Sequence, residues 1–297
     1  MSDIFEIGSA ALSASVNAHG AQLWTLRDRS GRDLLWDGDP KYWPSRAPIL
    51  FPVIGESPAG KVRHAGRSFP MNRHGFARDM VFEPRERSDS AVTLALRDSE
   101  ETRRHYPFSF ELTLTFSVAG QALDIAVTAT NTGTGVMPAS FGFHPAFRWP
   151  LVPGAAREAH VCLFDQDESE PIIPINTKTG LMLRHDRPSP VRGRRIPLND
   201  ALFDEGALVF ARHKSRTLFF GVPGERGILT EFPLMPQLGV WTRPGFPFLC
   251  IEPWHGIADY EGADGELANR PGITMLEPGA NLRCGMRIAI APVPKGS

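Results

Sequence analysis

One glutamate, Glu252, stands where an apolar, strand-like run ends, in the stretch 248–259 (FLCIEPWHGIAD). A proline and Trp254 follow it directly. Glutamate is seldom fully buried unless something pairs with it. A carboxyl group in this setting therefore indicates a specific structural or functional role. Burial and neighbouring charges shift the pKa of such a group, which is how active sites prepare an acid or a base. The alternative is an ion pair with an arginine at a strand end.

A histidine in aromatic surroundings is the second candidate. His144 lies in the stretch 141–149 (FGFHPAFRW), among three phenylalanines and a tryptophan. The proline after it favours extended backbone, so we expect His144 to end a strand and to project into a pocket or a corner. An imidazole suits proton transfer because its ordinary pKa, ~6.5, lies near working pH. The alternative is a hydrogen-bonded histidine of the core.

Three further stretches hold polar side chains next to proline, glycine or aromatic residues. Arg46 stands between prolines and before an apolar run, and His74 and Arg78 lie four residues apart. An imidazole beside a guanidinium suits a polyhydroxylated or anionic ligand. Asp204 belongs to the stretch 199–205 (NDALFDE), which precedes another strand-like run. Each of these side chains is also compatible with a solvated loop or turn.

Sequence motifs for metals, nucleotides and nucleophiles are missing. The histidines are dispersed, and the three cysteines, Cys162, Cys250 and Cys284, are far apart with no CxxC. This pattern argues against a thiolate zinc site and against a disulfide framework. The sequence also has no G-x-S-x-G elbow, no G-x-G-x-x-G and no phosphate-binding P-loop. We therefore predict an acid/base pair that works without a metal, a cofactor or a nucleophile.

The apolar pattern predicts a scaffold of strands for these residues. The 28 glycines and 27 prolines are spread through the chain and leave little room for long helices. Apolar and polar residues alternate in four segments: 92–96, 110–118, 123–127 and 286–290. Such alternation is typical of half-buried antiparallel sheets. We predict one all-β domain over residues 1–297, a large antiparallel β-sandwich, with a hairpin at Gly120 and at most a short helical turn at residues 99–104.

Charge and hydropathy limit the partners. A formal net charge of −1 lacks the basic excess of a nucleic-acid-binding surface. The arginine-rich run 192–195 lacks aromatic interleaving and indicates a solvated loop. No segment approaches the ~20 apolar residues that span a bilayer, and the N-terminal residues have no signal-peptide pattern. We expect a cytoplasmic monomer or homodimer that acts on a small molecule, with no nucleic acid and no membrane as partner.

Seven segments, taken in order, resemble a known family. They are LLWDGDPKYW, APILFPVIGE, HGFARDMVFE, YPFSFEL, FGFHPAF, LNDALFDEGALVF and CIEPWHGIAD. Together they resemble the aldose 1-epimerase (galactose mutarotase-like) family, and most closely its bacterial branch with HGFAR and HPAF signatures. The resemblance runs from about residue 20 to about residue 278. It implies the fold of that family, a large antiparallel β-sandwich, and a sugar as the substrate.

The resemblance also implies a reaction that suits the residues found. Interconversion of α and β anomers removes a proton from the C1 hydroxyl and delivers one to the ring oxygen. By this resemblance Glu252 is the general base and His144 the general acid, and they exchange roles on ring closure. We expect the two groups to face one pocket across a gap about the size of a pyranose.

Substrate-holding positions follow from the same resemblance: His74, Arg46 and Asp204. Arg78 is a further candidate because HGFAR recurs in the sugar-phosphate branch, and Trp254 is expected to form a pocket wall. Classical galactose mutarotases carry an aromatic-Phe-Asn pattern after the catalytic histidine and an NRI motif near the arginine. This sequence has neither, so galactose specificity does not carry over.

Two other functions fit the same residues. One is a sugar-binding or sensing module on this fold, which needs polar contacts and aromatic walls but no acid/base pair. The other is a different acid/base reaction on sugars, such as lysis or hydrolysis. Glycoside hydrolysis normally uses two carboxylates, and only Glu252 stands out here.

Overall fold

Strands with alternating burial make up most of the chain. The computed structural model describes residues 3–295 and contains twenty-two strands in that range. The first eleven are β1 (Ile4–Gly8), β2 (Leu12–Asn17), β3 (Gln22–Asp28), β4 (Ile49–Leu50), β5 (Lys61–His64), β6 (Arg67–Pro70), β7 (Glu83–Arg87), β8 (Ala91–Arg97), β9 (Phe110–Ala119), β10 (Ala122–Asn131) and β11 (Met137–Ala139). The others are β12 (Phe141–Phe143), β13 (Ala146–Arg148), β14 (Val161–Phe164), β15 (Arg195–Pro197), β16 (Leu208–Phe210), β17 (Thr217–Gly221), β18 (Arg226–Glu231), β19 (Gln237–Trp241), β20 (Phe248–His255), β21 (Thr274–Leu276) and β22 (Asn281–Pro292).

Helical structure is limited to short turns in the described residues. The helix α1 (Glu100–Arg103) starts after Ser99, which forms a capping box with Thr102, and this confirms the turn predicted at residues 99–104. Five 3₁₀ turns are Pro58–Gly60, Ala77–Asp79, Arg157–Ala159, Asp200–Phe203 and Leu267–Asn269. Between residues 3 and 295, no helix has the length and apolar character needed to cross a membrane.

Two large antiparallel sheets face each other, which confirms the predicted all-β sandwich. The nine-stranded sheet has the order β15-β14-β17-β18-β22-β10-β9-β8-β7. The six-stranded sheet has the order β16-β19-β20-β12-β4, and β13 also pairs with β20. A third sheet, β1-β2-β3, packs on β8 and β9. One hydrophobic core includes residues from all three sheets.

The hairpin predicted at Gly120 is confirmed: β9 and β10 pair directly and lie inside the nine-stranded sheet. The turn at Gly120 has a positive φ of 56°, which glycine adopts at little cost. Alternate residues of β9, such as Leu112 and Leu114, are fully buried in the hydrophobic core. Burial of one such side chain contributes about 1.5–3 kcal/mol. The period-two pattern in the sequence therefore marks the core face.

The strand β20 is buried on both faces and separates the core from the candidate site. Leu249 and Ile251 pack in the core between the sheets. Cys250 packs on the opposite side, in a cluster that includes tryptophan side chains from loops. Because side chains alternate along a strand, Glu252 and Trp254 share the face of Cys250. This outer face of the six-stranded sheet can hold polar groups without disturbing the main core.

Candidate active site

His144 and Glu252 meet because of strand register. The strand β12 pairs with the end of β20 and β13 with its beginning, in one continuous antiparallel register. In that register His144 falls opposite Glu252, and residues in opposite positions have Cβ atoms about 4.5–5.5 Å apart. The ladder is interrupted here, since Pro145 and Pro253 have no N–H to donate. The two side chains therefore meet across a gap between two short strands.

The two functional groups are in contact and almost dry. Nε2 of His144 lies 3.1 Å from Oε2 of Glu252. Only 8% of the histidine and 2% of the glutamate is exposed. The expected pyranose-sized gap is therefore wrong, because the register places the two side chains directly opposite each other. In the described part of the chain, the side chain that the carboxyl group of Glu252 contacts is this histidine and not an arginine.

Burial favours the neutral form of both groups. It lowers the pKa of His144 to about 3, and the cations Arg78 and Arg73 act in the same direction. Burial also raises the pKa of Glu252 well above its ordinary value. The indole N–H of Trp254 opposes that rise, although it makes no hydrogen bond of normal geometry. The pair thus titrates as a unit, and its one-proton state carries no net charge.

His74 is held beside the pair by a strained turn. Its φ is 68°, a value that non-glycine residues seldom adopt. At Gly75, which follows, a Cβ atom would lie 2.0 Å from the carbonyl oxygen of Phe51. The backbone N–H of Gly55 donates to Nδ1 of His74 over 3.0 Å, so the neutral ring carries its proton on Nε2. The ring centroids of His74 and His144 are 5.6 Å apart.

A buried arginine supports the loop that orients His74. Arg270 donates hydrogen bonds of 2.8 and 3.3 Å to the two carbonyls on either side of Gly55. It also pairs with Asp259, and both residues are almost fully buried. Because Gly55 is the donor to His74, the arginine acts on the imidazole through the backbone. Sequence reasoning missed this pair, since its residues carry no recognisable motif.

Two tryptophans enclose the ring of His144. The ring centroid of Trp43 lies 5.0 Å from that of the histidine, with the two planes tilted by 32°, and Trp241 makes an edge contact at 5.6 Å. Both tryptophans are half-buried and so form the boundary between the pair and solvent. Sequence reasoning missed both as site residues. The available signal was that Trp43 shares the proline-flanked stretch of Arg46.

Trp254 packs directly on two glycines. A Cβ atom at Gly239 would lie 2.5 Å from the indole ring, and one at Gly142 would lie 2.7 Å from Cδ1. These glycines belong to β19 and β12, the neighbours of β20 on either side. Within residues 3–295 the buried Nε1 of Trp254 has no hydrogen-bond partner. Such groups are rare in proteins, which makes this N–H a candidate donor to a ligand.

A family model places this site in context. The model of the family "Aldose 1-epimerase" matches residues 3–288. The chain belongs to the aldose 1-epimerase family. The predicted family is thus confirmed over nearly the whole sequence.

Several known proteins are similar to this chain along nearly their whole length. The plasmid and chromosomal forms of protein LacX of Lactococcus lactis subsp. lactis are each 30% identical over 282 residues, which is 92% of this chain and 94% of LacX. A galactose mutarotase-like protein from Lactobacillus casei ATCC 334 superposes with a TM-score of 0.91 at 28% identity, over 97% of this chain and 100% of that one. A galactose mutarotase related enzyme from Lactobacillus acidophilus gives 0.90 at 24% identity, over 98% of both chains.

Arg78, the candidate from the HGFAR signature, lies close enough to His74 and His144 to affect the pKa of both. It donates to the carbonyl oxygen of Arg73 over 2.7 Å, and burial lowers its pKa. It also borders an open cleft of about 460 Å³ together with Pro48. The backbone N–H of His144 donates to the Pro48 carbonyl over 3.1 Å. The lining of the cleft does not include Glu252, so the cleft lies beside the pair and not over it.

Two predicted substrate-holding residues of the family make no contact with the pair. The guanidinium of Arg46 stacks on Trp24 at 4.0 Å and donates to the Trp24 carbonyl over 2.8 Å. Asp204 is exposed after the turn Asp200–Phe203, and its side chain has no hydrogen bond within the described residues. The predicted residues that the structure brings together are Glu252, His144, His74 and Trp254, with Arg78 at their edge.

A cysteine joins the pair on the same face of β20. Cys250 stands two residues before Glu252, and its thiol is fully buried. One ligand atom from each of His144, Cys250 and Glu252 lies within 4.8 Å of the others. Burial, and next the charge of Glu252, raise the pKa of the thiol. Linear spacing could not reveal this group, because Cys250 and Glu252 come from β20 whereas His144 comes from the segment between β12 and β13.

Proposed function

We propose that this member of the aldose 1-epimerase family is an active mutarotase, which interconverts the α and β anomers of an aldose or an aldose phosphate. The observation that carries the proposal is the contact of 3.1 Å between the buried groups of His144 and Glu252. Family membership supports a sugar as the substrate. No nucleophile, metal or cofactor is needed for this reaction.

A contact this short suits the anomeric centre. The C1 hydroxyl oxygen and the ring oxygen are bonded to the same carbon, so an acid and a base close together can reach both. In ring opening, Glu252 takes the proton of the C1 hydroxyl and His144 gives a proton to the ring oxygen. The bond from C1 to the ring oxygen breaks, and a carbonyl forms at C1. Rotation about C1–C2 and the reverse transfers close the ring on the other face.

Burial of His144 and Glu252 determines which protonation states of the pair are favoured. Before opening, the reacting form has a carboxylate and an imidazolium; afterwards, both groups are neutral. Burial favours the neutral forms, as the shifted pKa values of both residues indicate. The carboxylate–imidazolium form is therefore the less favoured tautomer of the pair, and ring opening returns both groups to their favoured neutral forms. A positioned general acid or base typically increases the rate by about 10²–10⁴-fold.

The surroundings of the pair offer contacts for a sugar. His74 and Trp254 each supply an N–H donor, and Trp43 and Trp241 supply aromatic faces. Arg78 is proposed to hold a phosphate group where the substrate carries one. Arg46 and Asp204 remain proposed substrate-holding residues on the family resemblance alone.

The decisive experiment follows the equilibration of fresh α-D-glucose and α-D-galactose, and of hexose 6-phosphates, by polarimetry or anomeric proton NMR. We expect Glu252→Gln and His144→Ala each to lower the rate by about 100-fold or more. The matched control is Glu277→Gln, which changes an exposed glutamate. If the unaltered protein equilibrates every sugar at the buffer rate, the proposal fails. Sugar binding without turnover, measured by calorimetry, would then support the binding module.

A further inference from the structure

The outer face of β20 holds three side chains of the types that bind zinc. Cys250 and Glu252 share that face because they are two residues apart on a strand. His144 reaches them from the neighbouring strands, and the three ligand atoms lie within 4.8 Å of one another. All three residues are at least nine-tenths buried. The group is therefore built into the sheet and does not depend on flexible loops.

We propose that His144, Cys250 and Glu252 form a binding site for a thiophilic divalent cation such as Zn²⁺ or Cd²⁺. Zinc binds thiolate sulfur at about 2.3 Å and imidazole nitrogen or carboxylate oxygen at about 2.0–2.2 Å, in tetrahedral geometry. Ligand atoms around such an ion are about 3–4 Å apart. The three ligand atoms, which lie within 4.8 Å of one another, reach these values when the side chains rotate toward a shared ion. Three protein ligands leave the fourth position open, as in sites where a water or a hydroxyl binds the metal.

The chemistry of the site selects the metal. A soft thiolate and an imidazole favour zinc-like ions, whereas Mg²⁺ prefers oxygen ligands in octahedral geometry and is not expected to bind. Binding requires the thiol to release its proton and the carboxyl group to be ionised, and both protons leave to solvent. Affinity therefore increases with pH. The charge of the ion compensates for the two anions that binding creates in a buried place.

Metal at this position blocks the acid/base pair. Coordination occupies Nε2 of His144 and a carboxylate oxygen of Glu252, so neither group can exchange a proton with a sugar. The cation is thus expected to inhibit mutarotation reversibly, with activity restored by a chelator. The inhibition rests on the proposed function, whereas metal binding itself does not.

The test uses Co²⁺ as a spectroscopic substitute for zinc in the full-length protein. We expect one Co²⁺ per chain, with a thiolate-to-cobalt charge-transfer band, displaced by Zn²⁺ and unaffected by Mg²⁺. Cys250→Ser should abolish the band and weaken binding by about tenfold or more. Cys284→Ser is the matched control, because it also removes a buried thiol from a strand. Cys250→Ala replaces the serine variant if circular dichroism shows that the latter is unfolded.

Two results would overturn the site. One is the absence of a thiolate band in the unaltered protein at saturating Co²⁺. The other is a band that persists in the Cys250 variants or is lost equally in Cys284→Ser. Because these readouts need no sugar, they separate failure of the metal site from failure of the proposed mutarotase activity. Inhibition is then compared for each variant relative to its own metal-free rate.

Discussion

Nε2 of His144 and Oε2 of Glu252 lie 3.1 Å apart, across a strand ladder that two prolines interrupt. The pairing of β12 and β13 with β20 sets this contact. The positions of the two side chains are therefore fixed by the hydrogen-bonded strands of the sheet. At the interruption Glu252 remains paired with Gly239 of β19, and the backbone N–H of His144 donates to the carbonyl of Pro48. Sheet register thus supplies the rigid support that an acid/base pair requires.

The pH dependence of kcat/KM is the first prediction. The one-proton state of the pair is active, and it gains a second proton only when His144 is protonated, with a pKa of about 3. We therefore expect no loss of kcat/KM as pH falls from 8 through the ordinary histidine pKa of ~6.5. On the basic side, kcat/KM falls when the last proton leaves, at the raised pKa of Glu252. Polarimetry over a pH series measures both limbs.

Glu252→Gln serves as the control for this profile. Glutamine cannot bind the proton, so the basic limb should disappear from the residual activity. An acid limb near pH ~6.5 in the unaltered protein would contradict the assignment of a depressed His144 pKa.

The glycines beneath Trp254 give a second prediction. A methyl group at Gly239 would lie 2.5 Å from the indole ring and must displace it. We expect Gly239→Ala to destabilise the protein by about 1–3 kcal/mol and to raise the KM for sugar. Gly135→Ala is the matched control, since a Cβ atom there meets nothing within 4 Å and its φ is not positive. Urea unfolding and mutarotation kinetics of both variants provide the measurement, and equal behaviour would contradict the role of Trp254.

Much of the scaffold was predictable because burial repeats along each strand. The alternation in β9 and β10 predicted both the sheet type and the core face, and the short helical turn predicted at residues 99–104 is where α1 lies. Glu252 and His144 were recognised as unusual from their apolar and aromatic neighbours. Local context therefore identified the chemical groups.

Their spatial relationships were not predictable from local context. The contact between His144 and Glu252 depends on the register between segments about a hundred residues apart, and the pattern within either segment does not reveal which segment pairs with it. The same holds for the proximity of Cys250 to His144, because His144 belongs to a distant segment of the chain. Arg46 illustrates the converse: it is near in sequence to Trp43 at the site, yet its guanidinium stacks on Trp24.

A third prediction concerns phosphorylated sugars. Charge-assisted hydrogen bonds contribute about 1.5–3 kcal/mol, so loss of a phosphate contact weakens binding by roughly tenfold or more. We expect Arg78→Gln to raise the KM for a hexose 6-phosphate by this factor and to leave that for the unphosphorylated sugar nearly unchanged. Arg73→Gln is the control, because Arg73 is exposed and paired with Glu56 at 2.7 Å. Equal effects on both sugars would indicate a structural role for Arg78 instead.

The last prediction tests whether Arg270 positions His74. Arg270→Met leaves Asp259 buried without its partner, which should destabilise the protein by about 3–5 kcal/mol. The double variant Asp259→Asn/Arg270→Met removes both charges and should recover most of that stability. It still lacks the donors to the carbonyls around Gly55, so the hydrogen bond from Gly55 to Nδ1 of His74 loses its support.

Stability and activity should therefore separate in the double variant. We expect urea unfolding to approach that of the unaltered protein, while kcat/KM stays lowered by about tenfold, the scale of losses from supporting residues around a site. Nitrogen-15 NMR of His74 gives an independent readout, because loss of the fixed tautomer moves the Nδ1 and Nε2 shifts toward each other. Full recovery of kcat/KM together with stability would show that Arg270 only stabilises the fold. Recovery of stability alone would establish it as a positioning residue for His74.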